Sequence, residues 1–173
     1  VLLTRSEDIV FIGAVGACRS GLILKVARLI NLENSKSFAE SPLSAGPIVR
    51  VGDRTSTFNP TFTYQLCRVA EDLATVDPSF TWQRKLMPGG TCEATAFQAF
   101  GYTAASVCLP LGNYHNMNES AGRIDAEFIS IDDFRQLVLF LVTIARTIDM
   151  SGPALSLRPR LTKLFNSRRD VLK

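Results

Sequence analysis

Histidine is almost missing from this chain: His115 is the only one in 173 residues. That scarcity excludes any metal site built on two imidazoles of this chain, and leaves one candidate for an imidazole base or ligand. Cysteine is scarce as well. The four present, at 18, 67, 92 and 108, form no C-x-x-C pair, which excludes zinc-ribbon and dithiol redox motifs. Their apolar or small-residue surroundings suit reduced thiols, so a cytoplasmic location is expected. Long apolar runs are absent. The longest, "LVLFLVTIA", has nine residues, against the roughly 20 a membrane-spanning helix needs, so no membrane partner is expected. The chain also lacks a G-x-S-x-G elbow, a P-loop and a G-x-G-x-x-G fingerprint, which sets aside the chemistries those backbone turns serve. No internal repeat or low-complexity tract is present.

With 46% apolar and 20% charged residues, the composition is that of a globular protein long enough to bury a real core. The net charge of +3 is unevenly placed. The last sixteen residues, "RPRLTKLFNSRRDVLK", hold six Lys or Arg against one Asp, leaving 13 basic and 15 acidic residues in the body. Residues 1–150 therefore read as one catalytic-type domain and 151–173 as a basic tail or helix. A short basic terminal helix is ordinarily solvated, so nucleic acid is set aside as a partner. The opening "VLLTRSED" has no charged leader and reads as no secretion signal. It begins inside a β-type run without Met, which fits either a processed N-terminus or the later portion of a longer polypeptide.

Along the chain, "VLLT", "ARLINLE", the start of "GPIVRVGD", "FTWQRKLM", "AASVCLPLGN" and "RIDAEFIS" read as strands. In "TFTYQLCRVAEDLA", Phe62, Leu66, Val69 and Leu73 recur at helical spacing. "PGGTCEATAFQAFGY" gives a glycine turn and an Ala-rich helix stopped by Gly101. Ser130 and Asp133 form an S-x-x-D start for "DDFRQLVLFLVTIARTI", apolar nearly all round and so suited to packing against a sheet or a second chain. Strands alternating with helices predict an α/β fold, a layered mixed and largely parallel sheet flanked by helices.

Reactive groups of such folds gather where strands end. Three predicted ends carry polar groups: Glu7 and Asp8 after "VLLT", Glu33 in "INLENS", and His115 in "CLPLGNYHNM". Adjacent carboxylates point in different directions, so one can hold a cation while the other takes a proton from cation-bound water. Surface carboxylates are equally the norm, and an isolated loop histidine is commonly an ordinary one. Cys92 and His115 as a thiol and base lack an orienting third group.

These residues also resemble a known family. "RKLMPGGTCEATAFQAFGYTAASVCLPLGNYHNM" followed by "RIDAEFISIDDFRQLV" resembles the C-terminal half of the catalytic domain of co-catalytic zinc exopeptidases, above all the glutamyl/leucyl aminopeptidases that build tetrahedral shells. "TRSEDIVFIGA" resembles their T-x-x-E-E-x-G-x-x-G-A segment, and "INLENS" the strand that supplies an acidic ligand. The resemblance covers about residues 1 to 145. It implies Glu7 as general base, Asp8 and His115 on one divalent metal and Glu33 on the other. The two metals would be zinc, with cobalt or manganese also compatible. Gly90 and Thr91 would shape the loop facing a peptide substrate.

Three positions depart from the family pattern: Asp8 replaces a Glu, Val10 a Gly, and Cys92 the Asp that follows G-G-T. The family's H-x-D pair and bridging Asp lie upstream of the acid pair, with no counterpart in this chain. The expectation is therefore the C-terminal portion of a metal-dependent aminopeptidase, inactive alone, whose partners are the upstream half of its own domain and further copies of itself. The alternative is a non-catalytic structural or interaction module on the same fold.

Overall fold

The computed structural model describes residues 1–7, 9–149 and 157–172. In chain order, helix α1 (Ile12–Arg19) precedes strands β1 (Arg28–Lys36) and β2 (Ile48–Gly52). Helix α2 (Pro60–Val76), β3 (Gln83–Leu86), α3 (Glu93–Ala99) and β4 (Thr103–Leu111) follow. A short hairpin, β5 (Met117–Asn118) with β6 (Arg123–Ile124), leads to α4 (Ile131–Thr147). Helix α5 (Leu157–Arg168) lies in the basic C-terminal segment. The main sheet has the order β1-β4-β2-β3. Strands β1 and β4 are parallel, as are β2 and β3, and the two pairs join antiparallel between β4 and β2. This is the expected mixed α/β class.

Alternation along the strands gives the sheet two unlike faces. On one, Ile30, Val49, Ala105, Val107 and Leu109 meet Phe62, Leu66, Phe140 and Ile144 of α2 and α4. This is the main core. The opposite face is divided. At one end Leu29 and Ala104 are covered by α1 and α3. Farther along, the register sets Glu33 beside Cys108 and Arg50 beside Ser106, so the face turns polar where the helical cover ends.

The helices follow their local signals. Pro60 occupies the first turn of α2, where its missing N–H costs nothing, and the Asn59 side chain accepts from the Phe62 N–H at 2.9 Å. Ser130 caps α4 by accepting from the Asp133 N–H. Helix α3 closes at Gly101, whose φ of 79° suits glycine.

Two predicted strands fail. "VLLT" is no strand: Val1–Thr4 make no ladder, although they run beside the free edge of β1. "RIDAEFIS" reduces to β6 and an isolated bridge between Gly112 and Phe128. The segment read only as apolar, "DIVFIGAV", supplies the start of α1. No helix among the described residues is long and apolar enough to cross a membrane.

Candidate active site

Glu33 is the sixth residue of the nine in β1, so it projects from the polar sheet face rather than standing at a strand end. It is half-buried, and burial holds its carboxyl above the ordinary range. The Asn31 amide, which donates to Oε1 at 2.9 Å, and the charge of Arg50 pull it back only in part. His115 follows β4 in a tight turn. Asn113, His115 and Asn116 all have φ between 49° and 58°, the left-handed region that Asn and His tolerate better than most side chains. The His115 ring is exposed and stacks on Tyr114, with centroids 4.0 Å apart, while its backbone N–H donates to Glu127 Oε1 at 2.7 Å. The turn therefore fixes the backbone and leaves the imidazole free to face outward.

The segment carrying Glu7 folds back on α1. The Gly13 N–H donates to the Arg5 carbonyl at 3.1 Å, and a Cβ on Gly13 would lie 2.3 Å from that oxygen. Only glycine fits there. Thr4 Oγ1 donates to Glu93 in the first turn of α3, tying the segment to a second helix. Val10, where the family pattern has Gly, sits at φ 53°, a strained conformation for a β-branched residue.

Gly90 and Thr91 are held by the loop after β2. The Arg54 N–H donates to the Gly90 carbonyl at 2.9 Å, and the Thr55 and Thr91 hydroxyls share a 2.6 Å hydrogen bond. Asp53, buried beneath them, is the rivet. Its Oδ1 accepts from the N–H groups of Thr55 and Ser56 at 2.8 and 2.9 Å. Its Oδ2 accepts from the Cys92 N–H at 2.9 Å and Thr95 Oγ1 at 2.6 Å. Burial pushes the Asp53 carboxyl upward, but the Thr95 hydroxyl and these N–H groups outweigh it and hold it below the ordinary range.

A cavity of about 600 Å³ is lined by Glu7, Glu33, Gly90, Thr91 and His115, with Arg50 in its wall. Five of the six residues singled out by sequence thus border one space. Asp8, the sixth, lies outside the described residues. Sequence reasoning passed over Arg50, Asp53, Tyr114 and Glu127. For Arg50 a signal existed: it is the one charge inside the apolar strand "IVRVG". Cys92 stays out of reach as a nucleophile, being 2% exposed, with burial pushing its thiol up to about 11.

Among the described residues no group of three or more His, Cys, Asp or Glu side chains is placed to hold a metal ion. Glu33 and His115 by themselves do not make a zinc site, which ordinarily takes at least three protein ligands. The described donors fit a divalent cation only if others join them.

The fold of this chain is shared with solved aminopeptidase structures. No family model and no curated protein matches the chain, but solved structures do. PhTET1-12s, crystallised as a dodecamer, superposes with a TM-score of 0.63 at 20% identity, over 83% of this chain and 40% of its own. Aminopeptidase APDkam598 from Desulfurococcus kamchatkensis gives 0.61 at 18%, over 82% and 39%. Aminopeptidase I from Clostridium acetobutylicum gives 0.60 at 16%, over 82% and 36%. These likenesses show the fold. The chain spans about 40% or less of the length of these structures.

Proposed function

We propose that this chain is the C-terminal portion of a metal-dependent aminopeptidase catalytic domain, which as a whole protein hydrolyses N-terminal peptide bonds. The observation that carries this reading is the meeting of Glu7, Glu33, His115 and the Gly90–Thr91 loop at one cavity, in a fold shared with aminopeptidases. Glu7 acts as the general base, accepting a proton from the attacking water and passing it to the leaving amine. Asp8 with His115, and Glu33 apart from them, serve as ligands for two divalent cations, zinc by resemblance. The cations, when bound, supply polarisation of the scissile carbonyl. Gly90 and Thr91 present backbone to the substrate, and Asp53 keeps that loop in place.

The remaining ligands come from the upstream half of the same domain. The edge of β1 supports this: among the described residues it is a nine-residue strand paired on one side only, and such an edge is open to pairing with further chain. Homo-oligomers are proposed too, supported by the dodecamer of PhTET1-12s.

The isolated chain should release no nitroaniline from aminoacyl-nitroanilides, with or without added zinc. Adding the separately produced upstream portion should restore release. Hydrolysis by the 173-residue chain alone, or none after reconstitution of a folded pair, contradicts the proposal. The second outcome favours a non-catalytic interaction module, for which Cys92 in place of the expected Asp is the specific observation.

A further inference from the structure

Three of the four residues in the turn after β4, Asn113, His115 and Asn116, are left-handed without being glycine, at φ 49°, 58° and 57°. That conformation is costly for an L side chain and persists only where the surroundings over-determine it, as they do at functional sites. Here the surroundings are residues 125–128, the part of "RIDAEFIS" that follows β6. Five hydrogen bonds join this segment to residues 112–116. Gly112 and Phe128 exchange backbone bonds of 2.9 and 3.3 Å, and the Asp125 N–H donates to the Asn116 carbonyl at 2.9 Å. The Asn113 amide donates to the Ala126 carbonyl at 2.8 Å, and the His115 N–H donates to Glu127 Oε1 at 2.7 Å. Of the five, only the last reaches His115 itself, and it ends on a carboxylate, a stronger acceptor than a neutral carbonyl. The backbone so held carries the imidazole over the Tyr114 ring, with planes 20° from parallel. Tyr114, His115 and Glu127 all border the cavity.

We infer that Glu127 is the positioning residue of this site: by holding the His115 N–H it keeps the imidazole stacked on Tyr114 at the cavity that Glu7 and Glu33 also border. Glu127 acts through the His115 backbone and takes no part in the chemistry. Its reach carries the role, because one N–H needs one acceptor oxygen at that distance. Glutamine supplies such an oxygen; aspartate, one methylene shorter, does not. The inference rests on reading His115 as a ligand in the proposed function and adds the residue that aims it.

The test is proton NMR of the 173-residue chain without metal. His115 is its only histidine, so the imidazole C–H resonances identify themselves. Protons held over an aromatic face are shifted upfield. The wild type should therefore show these resonances upfield of an unstructured histidine, with cross-relaxation to the Tyr114 ring. Glu127→Ala should return them to the unstructured position and abolish the cross-relaxation while the rest of the spectrum is kept. Glu127→Asp, which keeps the charge, should give the same loss and serves where Glu127→Ala does not fold. Glu127→Gln should retain the wild-type pattern. In the reconstituted pair, Glu127→Ala should lower kcat about tenfold or more with KM little changed, since a misplaced group costs most in the transition state. Wild-type resonances in folded Glu127→Ala or Glu127→Asp, their loss in Glu127→Gln, or an unchanged kcat despite a displaced imidazole overturns the inference. The resonances are read on the metal-free chain, so a failure of the positioning role and a failure of the aminopeptidase reading are told apart: no hydrolysis by the reconstituted wild type counts against the latter alone.

Discussion

At the scale of single residues, the site is held by polar groups that do no chemistry. Asp53 is the clearest. It is 5% exposed and accepts four hydrogen bonds, so Asp53→Asn loses the charge and turns part of an acceptor into a donor. A cost of about 2–3 kcal/mol in urea unfolding is expected. The sign with pH follows from its lowered carboxyl. Its stabilisation is complete above the unfolded value of about 4 and is lost as pH falls through the folded value. Between neutral pH and about pH 3 the wild type should therefore lose more stability than Asp53→Asn. Val10 gives the opposite kind of prediction. Releasing its left-handed strain is worth about 1–2 kcal/mol, against roughly 0.5–1 for the added freedom of glycine when unfolded. Val10→Gly should raise the melting temperature slightly or leave it unchanged, and a marked fall in a thermal scan contradicts the strain. Arg50 could be noticed in the sequence as a charge in an apolar strand, but the groups that surround it could not. That depends on which side chains strand register sets around it.

At the scale of elements, helices were the legible part. The spacing of Phe62, Leu66 and Val69 locates α2, and the S-x-x-D signal locates the start of α4. What the signal did not reveal is the second use of its acid. Asp133 is fully buried, and its carboxylate accepts from the Ser44 and Gly46 N–H groups, both at 2.8 Å, pinning the loop before β2. Ser130→Ala should therefore cost about 1 kcal/mol, a cap alone, while Asp133→Ala should cost about 2–4 kcal/mol because it strands two loop N–H groups. Chemical denaturation separates the two, and equal losses contradict the second role. Strands were harder to read. "VLLT" carries strand-forming residues, but a strand exists only where a neighbour takes its hydrogen bonds, and none of the described residues pairs with it. The "RIDAEFIS" segment alternates well enough, yet Phe128 docks by a single bridge on Gly112.

At the scale of the molecule, one face of the sheet is covered by α2 and α4, the other only at one end by α1 and α3, and among the described residues the β1 edge is unpaired. Exposed Leu22 and Leu24 line a cavity beside β1 together with Leu32. Edges of this kind pair with other chains. The isolated chain is expected to self-associate as its concentration rises in sedimentation velocity, and the upstream portion should suppress this; monomers at every concentration tested contradict the open-edge account. The mixed α/β class was legible because helix and strand patterns alternate. The sheet order was not, because nothing in a strand's own residues states which neighbour it takes. The candidate residues could be listed from the sequence only as types in order; that Glu33, Glu7 and His115 border one space became visible only in the folded chain. The most direct measurement of the central claim is the hydrolysis rate of the whole protein carrying Glu7→Gln. Loss of the proposed general base should lower kcat about 10²–10⁴-fold with little change in KM. A wild-type rate from that variant would contradict the account.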